Sequence, residues 1–137
     1  MAEARPPLVA ELVWAGELAF GATSGDLASI IDGDGKTGLS PMQYAAIGLA
    51  GCMSADVVDI LRKGRYPLTS MRATFTGTRA ETPPRRFVKI ALHFAISGGV
   101  PAEAVERAIA MSREKYCSVW HSFRQDVDLL TDFQITA

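Results

Sequence analysis

The stretch from Ser40 to Gly64, SPMQYAAIGLAGCMSADVVDILRKG, leaves this chain the least freedom. It predicts one long helix with a cysteine near its middle. Ser40 is a good N-cap, Pro41 falls at the first helical position, and Gln43 completes a Ser-x-x-Gln capping box. Leu39 and Tyr44 stand where a hydrophobic staple places its two residues. Gly64 and Pro67 end the helix, and Arg62 and Lys63 occupy the last turn, where the helix dipole favours positive charge. Up to Met53 the apolar residues (Met42, Tyr44, Ala45, Ala46, Ile47, Leu49 and Ala50) run round nearly the whole circumference. That pattern predicts a helix buried on all sides. Its uninterrupted apolar part is too short for a membrane span, and Asp56 and Asp59 follow in the second half. Gly48 and Gly51 each cost about 1 kcal/mol against alanine in a helix interior. Another backbone is therefore expected to pack close to the turn before Cys52.

A chain of 137 residues suits a single domain, 1–137, with a real core. Charged residues make up 21% and hydrophobic ones 48%, which indicates a globular protein. The net charge of -1 gives no field that would draw nucleic acid or an anionic membrane, so neither is an expected partner. The opening MAEARPPLVAEL lacks the continuous apolar run of a signal peptide; its first seven residues should be frayed, and the expected compartment is the cytoplasm. In that compartment the two cysteines are expected to be reduced or redox-active rather than a structural staple. No CxxC, Cys/His metal spacing, phosphate loop or GxGxxG pattern appears, so no metal or cofactor is expected.

Before the long helix, Leu8–Trp14, Leu18–Ala22 and Leu27–Ile31 read as three strands of an antiparallel meander. The run Asp32-Gly33-Asp34-Gly35 reads as a turn, since the spacing and closing glutamate of a calcium loop are missing. After the helix, Ser70–Arg79 and Phe87–Ile96 alternate with period two and predict a hairpin. Val88, Ile90, Leu92, Phe94 and Ile96 share its inner face, and His93 lies opposite as a partly exposed sheet histidine. Pro101 opens a second helix to about Tyr116, with Val105, Ala108, Ile109 and Ser112 as its inner stripe. Ser118 is placed to cap a short helix from Val119 to about Gln125, and Leu129–Thr136 ends the chain as a strand. Strands and helices without regular alternation predict an α+β fold.

The environment of Cys52 by itself suggests a buried structural thiol. Cys117 follows Lys115 and Tyr116 and precedes a helix N-terminus, both of which lower a thiol pKa. His121 lies four residues on, within reach of a Cys/His pair if the turn is helical. Whether the two cysteines meet depends on the fold.

Three segments in this order resemble the OsmC/Ohr family, the osmotically inducible and organic hydroperoxide resistance proteins. They are the Ser40–Leu61 run with Cys52, the hairpin residues Arg79 and Pro83 to Phe87, and Glu106-Arg107-Ala108 followed by Ser112-x-Glu114-Lys115-Tyr116-Cys117-Ser118-Val119. The resemblance implies antiparallel sheets around a long buried helix in an intertwined homodimer, with two thiol sites at the interface. It also implies that Cys52 is the peroxidatic thiol and Cys117 the resolving one. The substrate would be an organic hydroperoxide or other apolar small molecule, held by apolar side chains among which Met42, Tyr44, Leu49, Met53 and Tyr116 are the candidates. An external dithiol would reset the site. The peroxidases of the family carry glutamate where this chain has Met42, and an arginine in the N-terminal strands, where Lys36 is the only base between Glu11 and Ser40. Those departures resemble the OsmC-like subgroup and require another stabiliser for the thiolate, with Lys115, His121, Arg65 and an arginine of a partner chain as candidates. A non-enzymatic thiol- or ligand-binding dimer and a dimer with merely buried cysteines remain alternatives.

Overall fold

The computed structural model of the chain describes residues 4–137. The fraying expected of residues 1–3 lies outside the described residues, and residues 4–7 are exposed and belong to no strand. The chain forms two compact units, one ending at Ala45 and the other running from Ala46 to Ala137.

In the first unit, β1 (Glu11–Trp14), β2 (Ala19–Ser24) and β3 (Leu27–Asp32) form the expected antiparallel meander. Its acidic Gly loop is organised by one carboxylate. Asp32 accepts hydrogen bonds from the Asp34 amide at 2.8 Å, the Thr37 amide at 2.9 Å and the Thr37 hydroxyl at 2.8 Å. These donors, the Thr37 amide foremost, hold the Asp32 carboxyl down at about 2. The capping box that opens α1 (Pro41–Lys63) is present in both directions. The Ser40 amide donates to Gln43 Oε1 at 2.8 Å, and the Gln43 amide donates to Ser40 Oγ at 3.2 Å. Tyr44 turns its hydroxyl to β3, where it donates to the Ile30 carbonyl at 2.8 Å and bonds the Ser29 hydroxyl.

The second unit contains the rest of α1 and a three-stranded sheet. Here β4 (Leu68–Arg79) pairs antiparallel with β5 (Phe87–Gly98), and β6 (Asp128–Thr136) pairs with β5 in parallel. The inner face of β5 is the one the alternation requires: Ile90, Leu92, Phe94 and Ile96 are all buried. They share one core with Leu49, Met53, Val57 and Leu61 of α1 and Val105, Ala108 and Ile109 of α2 (Ala102–Met111). Gly98 is required where β5 ends. Its φ is +118°, and a Cβ there would stand 2.1 Å from the Pro67 carbonyl oxygen.

Four local expectations need correction. First, within a single chain α1 is not buried all round: its core face is one stripe, Leu49, Met53, Val57 and Leu61, at four-residue intervals, while Ile47, Gly48, Gly51 and Ala55 are exposed. One chain supplies one core, and among the described residues outside the helix's own nearby backbone nothing stands within 4 Å of a Cβ built on Gly48 or Gly51. Length and hydropathy alone would let this helix pass as a membrane span, but its stripe packs into the chain's own core. Second, Gly64 is not the left-handed residue that closes α1. Arg65 is, at φ 61°, with Tyr66 N–H donating to the Leu61 carbonyl in a Schellman closure. Gly64 instead makes room for Tyr66, whose ring would meet a Cβ at 2.7 Å.

Third, the second helix does not run uniformly to Tyr116. Regular α-helix ends at Met111, and Ser112–Tyr116 form one wider π-helical turn closed by Cys117 N–H to the Ser112 carbonyl at 2.7 Å. Fourth, the residue capping α3 (Ser118–Ser122) is Cys117 and not Ser118. Cys117 has the extended backbone an N-cap needs, and its sulfur accepts the Trp120 amide at 3.4 Å.

Candidate thiol site

Cys52 and Asp56 are one helical turn apart on α1, on the flank of the buried stripe. The π-helical turn brings Ser112 and Cys117 against them. Sγ of Cys52, Sγ of Cys117 and a carboxylate oxygen of Asp56 all lie within 4.8 Å of one another. Ser112, 0% exposed, donates its hydroxyl to Asp56 Oδ2 at 2.8 Å, while its carbonyl holds the Cys117 amide. Ser118 Oγ stands 3.8 Å from Cys52 Sγ. Both cysteines are free thiols; Cys52 is half-buried and Cys117 is 0% exposed.

The two thiols are unequal. Burial opposes ionisation of Cys52, but the Val119 backbone N–H, the Cys117 thiol and the Ser118 hydroxyl all donate toward it. Together they outweigh burial and the Asp56 charge and bring it below its ordinary value. Cys117 goes the other way. Burial is the largest cause, and it outweighs the Trp120 amide and pushes the thiol up to about 12. Cys117 therefore keeps its proton and directs it at Cys52. The low pKa expected of Cys117 from Lys115 and the helix N-terminus is overturned: Lys115 Nζ sits over the Tyr116 ring, 5.4 Å from its centre, and α3 is too short to offset the burial.

His121 does not pair with Cys117; its Nε2 bonds the Arg113 carbonyl at 2.9 Å. His93 is the expected sheet histidine, paired across β5 and β6 with Asp132 at 2.7 Å. Of the candidates for holding a substrate, Leu49 and Met53 are 0% exposed in the core and offer no accessible surface. Met42 and Tyr44 belong with the first unit, where the Tyr44 hydroxyl is engaged by β3. Tyr116 is exposed and lines a recess with Asp56, Asp59, Ile60, Lys63 and Met111.

Sequence reasoning missed Asp56, Ser112 and Ser118 as members of the site. The four-residue interval from Cys52 to Asp56 was a usable signal; the two serines needed the fold.

A family model described as OsmC-like protein matches residues 33–131. Protein YhfA of Escherichia coli K12 is 35% identical over 137 residues, covering 98% of each chain. A hypothetical protein from Aquifex aeolicus superposes with a TM-score of 0.90 at 25% identity, over 96% of this chain and 98% of that one. The organic hydroperoxide resistance protein OsmC from Legionella pneumophila shares the fold, with a TM-score of 0.70 at 21% identity over 96% of this chain and 99% of its own. With its α+β fold and these relatives, the chain belongs to the OsmC-like protein family.

Proposed function

We propose that the chain is a two-cysteine, thiol-dependent peroxidase that reduces organic hydroperoxides. The observation that carries this reading is the pair of unequal thiols within 4.8 Å, one half-buried and drawn toward thiolate, the other buried and holding its proton. The Cys52 thiolate attacks the terminal oxygen of the hydroperoxide. The O–O bond breaks, the alkoxide leaves with the electron pair and takes a proton from water, and Cys52 becomes a sulfenic acid. Cys117 then attacks Cys52 Sγ, the S–O bond breaks, and water leaves as the disulfide forms. An external dithiol returns two electrons by exchange, so no bound cofactor is needed. Neutral donors from Val119, Cys117 and Ser118 take the place of the family's glutamate and arginine at the thiolate.

The working form in this reading is a cytoplasmic homodimer. A second copy would cover the exposed face of α1 at Ile47, Gly48 and Gly51. The test is a count of free thiols in the reduced protein before and after cumene hydroperoxide or hydrogen peroxide, with Cys52→Ser and Cys117→Ser alongside. Loss of both thiols within seconds with the organic peroxide, abolished in Cys52→Ser, supports the peroxidase. Thiols that survive for minutes overturn it. The Asp56 charge beside Cys52, which opposes the thiolate, favours a second reading, a non-enzymatic dimer that binds thiols or apolar small molecules, and that outcome would leave it standing.

A further inference from the structure

We propose that Asp56 is the base that removes the proton from Cys117 when that thiol closes the disulfide with Cys52. The inference deepens the two-thiol reading and rests on it. A thiol must become a thiolate to attack. Cys117 is 0% exposed, so bulk water has no direct access to its proton. Two acceptors stand near its sulfur: Cys52, which has already been oxidised when this step begins, and the Asp56 carboxylate, which also takes the Ser112 hydroxyl; the Trp120 amide is a donor. The Asp56 carboxylate lies within 4.8 Å of both sulfurs, a span that one bridging water or a small side-chain rotation closes. His121, the other candidate base, is turned to the Arg113 carbonyl.

The placement of Asp56 is otherwise a liability. Its negative charge opposes ionisation of both thiols, which hinders the attack on peroxide. A carboxylate held there by a fully buried serine has its use in the second step. The proton of Cys117 passes to Asp56, the freed sulfur attacks Cys52 Sγ, and the S–O bond breaks. The departing hydroxide takes the proton from Asp56 and leaves as water, so atoms and charge balance. The other titratable groups along this recess are Asp59 and Lys63, paired with each other at 2.8 Å, and Tyr116.

The experiment separates this step from peroxide chemistry. Reduced protein is mixed with dithionitrobenzoate in a stopped-flow instrument. Half-buried Cys52 reacts first and releases one thionitrobenzoate; Cys117 then displaces the second by closing the disulfide. In Asp56→Asn the second phase should slow by about ten- to a hundred-fold near neutral pH, while the first phase is unchanged or faster. Its rate should recover steeply as hydroxide replaces the missing base at alkaline pH, and Asp56→Glu should restore most of it. Ser112→Ala, which leaves the carboxylate in place but unheld, should show a smaller slowing of the second phase alone. Closure at the wild-type rate in Asp56→Asn, or a slowing that is the same at every pH, overturns the proposal, as does a wild-type protein with no second phase. A protein that closes normally with dithionitrobenzoate but ignores hydroperoxide refutes the peroxidase and leaves the role of Asp56 standing.

Discussion

Raising the pH should destabilise the chain through Cys117, and the excess sensitivity should vanish in Cys117→Ser. The folded thiol titrates at about 12 against an ordinary 9.0. Below about pH 9 both folded and unfolded chains keep this proton, and the contribution of Cys117 to stability is fully present. Between about 9 and 12 only the folded chain keeps it, so stability falls as pH rises by about 1.4 kcal/mol per unit. At pH 10.5 the loss amounts to about 2 kcal/mol. Lysines and tyrosines titrate in the same range, but they are common to both proteins. Serine also leaves a hydroxyl to donate to Cys52, so the opposite contribution of Cys52 is largely shared. The assay is urea unfolding under reducing conditions at pH 8 and 10.5 for both chains. Comparing the changes, not the absolute stabilities, removes the fixed effect of the substitution. Equal losses in the two proteins would refute the claim that burial holds the proton on Cys117.

Phe94→Ala, in the centre of β5 and fully buried, should lower unfolding free energy by about 3–5 kcal/mol by urea titration. The Thr37 amide resonance should follow a carboxyl titrating near pH 2, because Asp32 has its folded value depressed. Its contribution to stability is present above the ordinary carboxyl value and is lost as pH falls toward 2. Gly51→Leu should leave the monomer folded, since none of the other described residues outside the nearby helix backbone lies within 4 Å of a Cβ there, but should weaken self-association in sedimentation velocity. Closing the disulfide should change the emission of Trp120 in a Trp14→Phe background, because its indole is buried and its amide bonds the Cys117 sulfur.

Much of the architecture was legible because local rules and the core agreed. Ser40, Pro41 and Gln43 fixed where α1 starts, and alternation along Phe87–Ile96 fixed the inner face of β5. Spacing also marked Val105, Ala108, Ile109 and Ser112 as one stripe. Alternation and periodicity report which face of an element is apolar, but they carry no information about partners distant in sequence. Hence the parallel pairing of β6 with β5 and the exposure of one face of α1 were not legible.

At the site, sequence resemblance selected Cys52 and Cys117, and the fold decided what each one is. Local reasoning assigned the low pKa to Cys117 from Lys115 and a helix N-terminus; burial, which is a tertiary property, reversed it. Asp56, Ser112 and Ser118 join the thiols across 56 and 66 residues of chain, with a π-helical turn supplying the width. Sequence by itself determined most of the elements and the capping box of α1, because those depend on near neighbours. Tertiary structure alone decided which sulfur is drawn toward thiolate, which one holds its proton and which carboxylate stands beside them, because desolvation and charge act through space.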